Sequence, residues 1–336
     1  MEFLNLGVAP PPPRGYGGSV LNDPQLVEYG ATKNDQRIWV RRFAGNSLYH
    51  AMLDTPLRVA HLTDIHVGFV TPMKVQRAAV AITNASKPDI VVITGDFVCH
   101  SHAFLEDLAE TIRGFDAPVF AVLGNHDYWS GAPGVRRALR QGGAELLSNA
   151  NTVITLRGQR FQLVGLDDAY TGHADRRAAL KGWNPKLPTL GLSHIAEEAD
   201  SLWQEGVPLV LSGHTHAGQL TVARLHELTI GKLAGHRYIH GLYGSRKRTG
   251  DPADEGAVYV GAGIGAAIMP LRVGERGQRE ITLFDLGLHP DDLVEHHAEQ
   301  IPMRPPLVVD ELVAQAEAHA RFQARRKKRF RAPKVD

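Results

Sequence analysis

Five short apolar runs along this chain each end in a cluster of histidine, aspartate or asparagine, and no other feature restricts its fold as much. The runs are Leu57 to Leu62, Ile90 to Thr94, Val119 to Leu123, Thr189 to Leu192 and Val207 to Leu211. The clusters that follow them are Asp64-Ile65-His66, Gly95-Asp96, Gly124-Asn125-His126-Asp127, Ser193-His194 and Gly213-His214-Thr215-His216. A sixth run, Phe161 to Leu166, leads into Asp167 and Asp168. Such near-continuous apolar stretches are the mark of strands buried on both faces. Between them, Lys74 to Ala85, Ala103 to Ile112 and Gly134 to Gln141 carry helical periodicity, so strand and helix alternate as in βα units. In open α/β sheets ligands gather beyond the carboxyl ends of the strands, and the five clusters are therefore expected to converge on one site.

The spacing within the clusters points the same way. In extended chain, residues i and i+2 face the same side, so Asp64 with His66, and His214 with His216, are expected to present two ligand atoms together. Gly95, Gly124 and Gly213 allow sharp turns and a close approach of backbone to an ion. Any one cluster taken alone reads better as a solvated loop or surface pair; five in order, each after a buried strand, do not.

The order Asp-X-His, Gly-Asp, Gly-Asn-His-Asp, His, Gly-His-X-His resembles the calcineurin-like metallophosphoesterase family, over about Leu57 to Leu286. His216-Ala217-Gly218-Gln219 and the segments Tyr238 to Tyr243 and Gly261 to Leu271 resemble a bacterial branch of it. That branch includes phosphodiesterases and pyrophosphohydrolases acting on UDP-diacylglucosamine, a lipid A precursor. The resemblance implies a four-layer α/β/β/α sandwich with a dinuclear metal site at the strand ends. It assigns Asp64, His66, Asp96 and His216 to one metal and Asp96, Asn125, His194 and His214 to the other, with Asp96 bridging. It makes His126 the catalytic histidine and Asp127 the residue that orients it. Two departures stand out. Cys99 occupies a position where many members carry a second aspartate, and Ile195-Ala196-Glu197-Glu198 follows His194 where a proline is common.

Mixed imidazole and carboxylate ligands suit Mn, Fe, Zn or Ni rather than Mg or Ca. Two divalent ions with two carboxylates leave about +2 at the site, which attracts phosphate. Ions roughly 3.5 to 4 Å apart can share a hydroxide for in-line attack and spread the developing charge. His126 then protonates the leaving oxygen or stabilises its charge. The expected activity is that of a phosphodiesterase or pyrophosphohydrolase on a small-molecule or lipid-linked substrate. A phosphomonoesterase or protein phosphatase is the alternative within enzymes, and a non-catalytic scaffold the alternative outside them.

The organisation expected is an extension over 1–56, the catalytic domain over 57–286, and a helical extension over 287–336 ending in a basic tail. Ala257 to Val260 and Glu280 to Leu286 are expected to close a second sheet, and Leu307 to Arg326 reads as a charged helix. With 37 basic against 36 acidic residues, no overall charge draws the chain to nucleic acid. The one cysteine, the absence of an apolar segment long enough to span a bilayer and the lack of a secretory signal lead us to expect a cytoplasmic protein. The basic run Arg325 to Arg331 suits peripheral contact with an anionic membrane, with a solvated tail as the alternative. Gly261 to Gly265 reads as a tight loop near the metals, because Pro270 comes too soon for a dinucleotide-binding helix. His100 and His102 beside Cys99 read as a surface loop, with another metal site as the alternative; Asp167 and Asp168 read as a solvated loop, with a role beside the site as the alternative, and contact of His236 and His240 with substrate is the less favoured reading. Nothing in the sequence reports the oligomeric state.

Overall fold

A computed structural model describes residues 25–28, 37–99, 101–218, 235–244, 256–266, 272, 277–293, 295–296 and 299–303. The proline run, the charged helix and the basic tail lie outside these residues. Thirteen strands among them form two sheets. The first contains β1 (Gln25–Glu28), β2 (Arg37–Ala44), β3 (Leu57–Leu62), β4 (Ile90–Thr94), β5 (Val119–Val122), β6 (Glu145–Leu146) and β13 (Arg279–Leu286), in the order β1-β2-β13-β3-β4-β5-β6. The second contains β7 (Ala150–Leu156), β8 (Gln159–Gly165), β9 (Thr189–Leu192), β10 (Leu209–Ser212), β11 (Gly241–Gly244) and β12 (Ala257–Val260), in the order β11-β12-β10-β9-β8-β7.

β3, β4 and β5 run parallel, as do β8, β9, β10 and β12, so within each sheet their carboxyl ends fall on one edge. Period-two alternation with both faces covered explains why the runs are nearly continuously apolar. Ile90 and Val92 of β4 enter a core shared with Leu190, Leu192, Leu209 and Leu211 of the second sheet. Val91 and Ile93 face outward onto the helices Met73–Ala85 and Leu105–Arg113 through Ala78, Ile82, Leu108 and Ile112. On the far side, Val164, Val210 and Val258 pack against Ala199 and Leu202 of a short helix, Ala199–Gln204. The layers are therefore helix, sheet, sheet, helix, as the resemblance implies.

One placement differs from the sequence reading. Arg279–Leu286 does not close the second sheet; it lies in the first, parallel to β2 and antiparallel to β3. Its pattern suits either sheet, but there Phe284 and Leu286 fill the intersheet core while Ile281 and Leu283 fill the outer one. Arg37–Ala44, which the sequence also reads as a strand over Arg37 to Phe43, pairs with β13 in the first sheet, and Tyr49 in the helix Ser47–Met52 is buried with its hydroxyl donating to the Thr189 carbonyl at 2.6 Å. Sheet and core residues thus lie upstream of residue 57. No helix among the described residues is long and apolar enough to cross a membrane.

Candidate metal centre

Past the end of β3 the chain continues beside the segment that leaves β4. Asp64, His66 and Val67 donate their N–H groups to the carbonyls of Gly95, Asp96 and Phe97 at 3.0, 3.0 and 2.8 Å. These are not extended strands. Asp64, His66, Asp96, His214 and His216 all have φ between 43° and 76°, the left-handed region that side chains seldom occupy. Each such residue costs on the order of 1–3 kcal/mol and persists only where the surroundings enforce it. The i, i+2 expectation therefore needs correcting for the last motif. Asp64 and His66 do point to one place, but His214 and His216 separate into two groups. One ligand atom from each of Asp64, His66, Asp96 and His216 lies within 4.8 Å of the others, and the same holds for Asp96, His194 and His214. Asn125 joins the second group, its Oδ1 lying 2.9 Å from His214 Nδ1 and 3.1 Å from His194 Nε2. Asp96 is common to both.

Each carboxylate has one oxygen fixed by the protein and one presented to the cluster. Asp64 Oδ2 accepts from the Thr63 hydroxyl at 2.7 Å and the His214 N–H at 3.0 Å, while its buried Oδ1 has no hydrogen-bond partner. Asp96 Oδ1 accepts from the His126 N–H at 2.8 Å, and its Oδ2 faces His194 Nε2 at 3.4 Å and His66 Nε2 at 3.7 Å. The imidazoles are arranged in the same manner. His194 Nδ1 lies 2.7 Å from the Thr94 carbonyl, which requires it to be the donor and turns Nε2 toward two oxygens. The Nε2 atoms of His66 and His216 face each other at 3.1 Å, where at most one neutral ring can donate.

Without ions this is a poorly compensated cluster. Burial pushes the Asp64 carboxyl up to about 6 against the pull of His194. Burial alone would lower His194, but Asp96, Asp64 and Asp168 raise it to about 10. Burial likewise lowers His66 to about 3. An orphaned buried carboxylate oxygen, opposed ring nitrogens and convergent nitrogen and oxygen donors fit divalent cations.

Glycines leave room for the ligands themselves. A Cβ on Gly124 would lie 2.3 Å from Asp96 Oδ1, and one on Gly213 2.4 Å from Asp64 Oδ2. The loop from Gly261 to Gly265 also approaches closely: Ile264 and Gly265 donate to the carbonyls of Thr63 and Asp64. A Cβ on Gly265 would lie 2.6 Å from His66 Cβ. The small residues there make room for the ligand segment.

His126 stands at the rim, its Nε2 4.0 Å from Asp96 Oδ2 and its ring edge-on to His66. Asp127 is a correction. Its carboxylate does not meet the His126 ring; it accepts from the N–H groups of Asp96, Gly124, Phe97 and Val98 at 3.0, 2.9, 2.8 and 3.3 Å. One turn of helix, Asn125–Trp129, aims the two adjacent side chains in different directions, so Asp127 ties the β4 and β5 loops together. Asp168 accepts from the N–H of Thr171 at 2.7 Å and braces its own loop, and Asp167 pairs with Arg136 at 3.0 Å. The His236 ring lies 5.0 Å from that of His214, whereas His240 is buried against Glu280 at 2.9 Å. The sequence reading missed Trp129 and Tyr170, whose rings stand beside His126 and His214 at 4.9 and 5.3 Å. Half-buried Trp129 ends a one-turn helix and Tyr170 is exposed on a loop, and neither position belongs to a readable pattern.

A two-sheet α/β protein with acidic and imidazole donors gathered at its strand ends is the class that fold and site define. Residues 57–218 match the family model for calcineurin-like phosphoesterases, and the chain belongs to that family of metal-dependent hydrolases. It is 29% identical over 242 residues to the phosphodiesterase YaeI of Escherichia coli, covering 69% of this chain and 82% of that protein. It is 28% identical over 278 residues to the metallophosphoesterase YkuE of Bacillus subtilis, covering 81% and 90%. To the UDP-2,3-diacylglucosamine pyrophosphatase LpxG of Chlamydia trachomatis it is 27% identical over 262 residues, covering 62% and 78%.

Proposed function

We propose that this chain hydrolyses a phosphodiester or pyrophosphate bond, with two divalent ions held by Asp64, His66, Asp96 and His216 and by Asp96, Asn125, His194 and His214. The observation that carries this reading is the Asp96 carboxylate, which belongs to both ligand groups. When bound, the ions supply Lewis acidity toward the phosphoryl oxygens and an activated water. The chain supplies the rest. Thr63, Thr94 and the His214 and His126 N–H groups fix the ligand atoms, so that little reorganisation accompanies the reaction. His126, on the rim and outside both ligand groups, donates a proton to the leaving oxygen. Trp129 and Tyr170 flank the departing group. The likeness to a phosphodiesterase and to a pyrophosphatase supports a two-sided phosphorus substrate over a monoester. UDP-2,3-diacylglucosamine is the lipid-linked candidate, and the basic run 325–331 would bring the enzyme to an anionic membrane carrying it.

The test is hydrolysis of bis(nitrophenyl) phosphate and nitrophenyl phosphate by metal-stripped protein, with Mn, Fe, Zn, Ni or Mg restored singly. Turnover of the diester that needs metal and collapses in Asp96→Asn and His126→Ala is expected. A preference for the monoester would overturn the diesterase reading. Loss in Asp96→Asn alone would remove His126 from the reaction.

A further inference from the structure

Cys99 has no part in the two ligand groups above, yet it lies beside them. The bridge between Val67 and Val98 holds the end of the Gly95-Asp96 loop against the Asp64-to-Val67 segment. As a result, one ligand atom from each of His66, Cys99 and His126 lies within 4.8 Å of the other two. His66 is buried, Cys99 is half-buried, and the His66 and His126 rings meet edge-on with centroids 4.9 Å apart.

We propose that His66, Cys99 and His126 form a further cation site, selective for thiophilic ions such as Zn or Cd, whose occupation inhibits the enzyme. Sulfur with two imidazoles is a soft to borderline donor set, unlike the carboxylate-rich group around Asp64 and Asp96. Three protein ligands with an open position suffice for a zinc-type ion. On binding, a metal–sulfur bond replaces the S–H bond, and the proton passes to solvent. The consequence follows from which residues are shared. His66 also serves the group containing Asp64 and His216, so the added ion competes for it. His126 is drawn from the position in which it faces a leaving group. The binding itself is independent of the proposed reaction; the inhibition rests on the role proposed for His126.

The experiment uses the full chain loaded with Mn and titrated with Cd. Cys99 is the single cysteine, so any cadmium–thiolate charge-transfer absorption reports this residue alone. Wild type is expected to develop the band at one equivalent, and His126→Ala to bind Cd at least tenfold more weakly. No band in wild type, or unchanged affinity in His126→Ala, would refute the three-residue site whether or not the protein hydrolyses any phosphodiester. In parallel, diester turnover is followed during the titration, each protein against its own rate without Cd. Inhibition in wild type that Cys99→Ser escapes supports the proposal. Equal inhibition in both means that Cd exchanges into the paired site, and inhibition in neither means that His126 is not withdrawn; either result overturns it.

Discussion

Gly124→Ala is the sharpest perturbation the geometry offers, because it adds one methyl group and no charge. The new Cβ would lie 2.3 Å from Asp96 Oδ1 and 2.6 Å from the Asp96 backbone nitrogen. Ordinary contact begins at 3.4 Å, so the carboxylate or the β5 loop must move by about 1.1 Å. Neither can move freely. Asp96 Oδ1 is held by the His126 N–H and Gly124 by the Asp127 carboxylate. A misplacement of about 1 Å at a catalytic centre costs on the order of 100-fold in rate, or about 2.7 kcal/mol of barrier. Metal affinity should fall by about 10- to 100-fold, as when groups supporting a ligand are altered. The assay is metal binding by calorimetry together with metal-dependent diester turnover, with the far-ultraviolet dichroism required to match wild type. Gly68→Ala is the control, since its Cβ would meet nothing closer than 3.6 Å. Wild-type affinity and turnover in Gly124→Ala, or equal losses in both variants, would refute the argument that this glycine exists to admit the Asp96 carboxylate.

Metal uptake should release protons. Burial opposes protonation of His194, but Asp96, Asp64 and Asp168 raise it to about 10, so an arriving cation displaces a proton, and affinity should climb about tenfold per pH unit below that value. Calorimetry in buffers of different ionisation enthalpy reads this directly; a pH-independent affinity would contradict it. Asp127→Ala strips the partner from four backbone N–H groups and should lower stability by about 4 kcal/mol or more in urea unfolding, at about 1–3 kcal/mol for each donor left unsatisfied. Asp127→Asn should leave the pH limb of turnover assigned to His126 in place, because that carboxylate does not touch the ring; a shifted limb would restore the orienting role. Arg41→Met leaves Glu280 buried with one cation fewer and should cost about 3–5 kcal/mol. Burial raises the Glu280 carboxyl, but His240 and Arg41 hold it well below the usual value of 4.5. Its contribution is therefore complete above 4.5 and lost as pH falls through the lower folded value, which acid unfolding of wild type and Arg41→Met would compare.

Much of this was legible in the residues. Leu57 to Leu62, Ile90 to Thr94 and Thr189 to Leu192 are strands over the residues expected, because a strand buried on both faces needs apolar side chains at every position. Met73–Ala85, Leu105–Arg113 and Ala132–Gly142 are helices within a residue or two of where periodicity puts them. The convergence of Asp64, His66, Asp96, Asn125, His194, His214 and His216 followed from their place after such strands, without any knowledge of distance. Other features lay beyond local pattern. Glu280 to Leu286 reads as a strand in either sheet, and only its neighbours Ile38 and Val59 place it in the first.

What the chain by itself determined is the set of donors, their order and the strands that carry them, since burial and periodicity act on neighbouring residues. What only the tertiary structure decided is the backbone path that brings those donors into the two groups the resemblance implies. His214 and His216 are two positions apart, yet left-handed backbone at both sends them to different groups. Asp127 follows His126 but turns back to bind the Gly95-to-Val98 loop. Cys99 reaches His66 only because an isolated bridge between Val67 and Val98 joins the segments that follow β3 and β4. In each case the outcome depends on contacts between segments far apart in the chain, and no local pattern of residues encodes them.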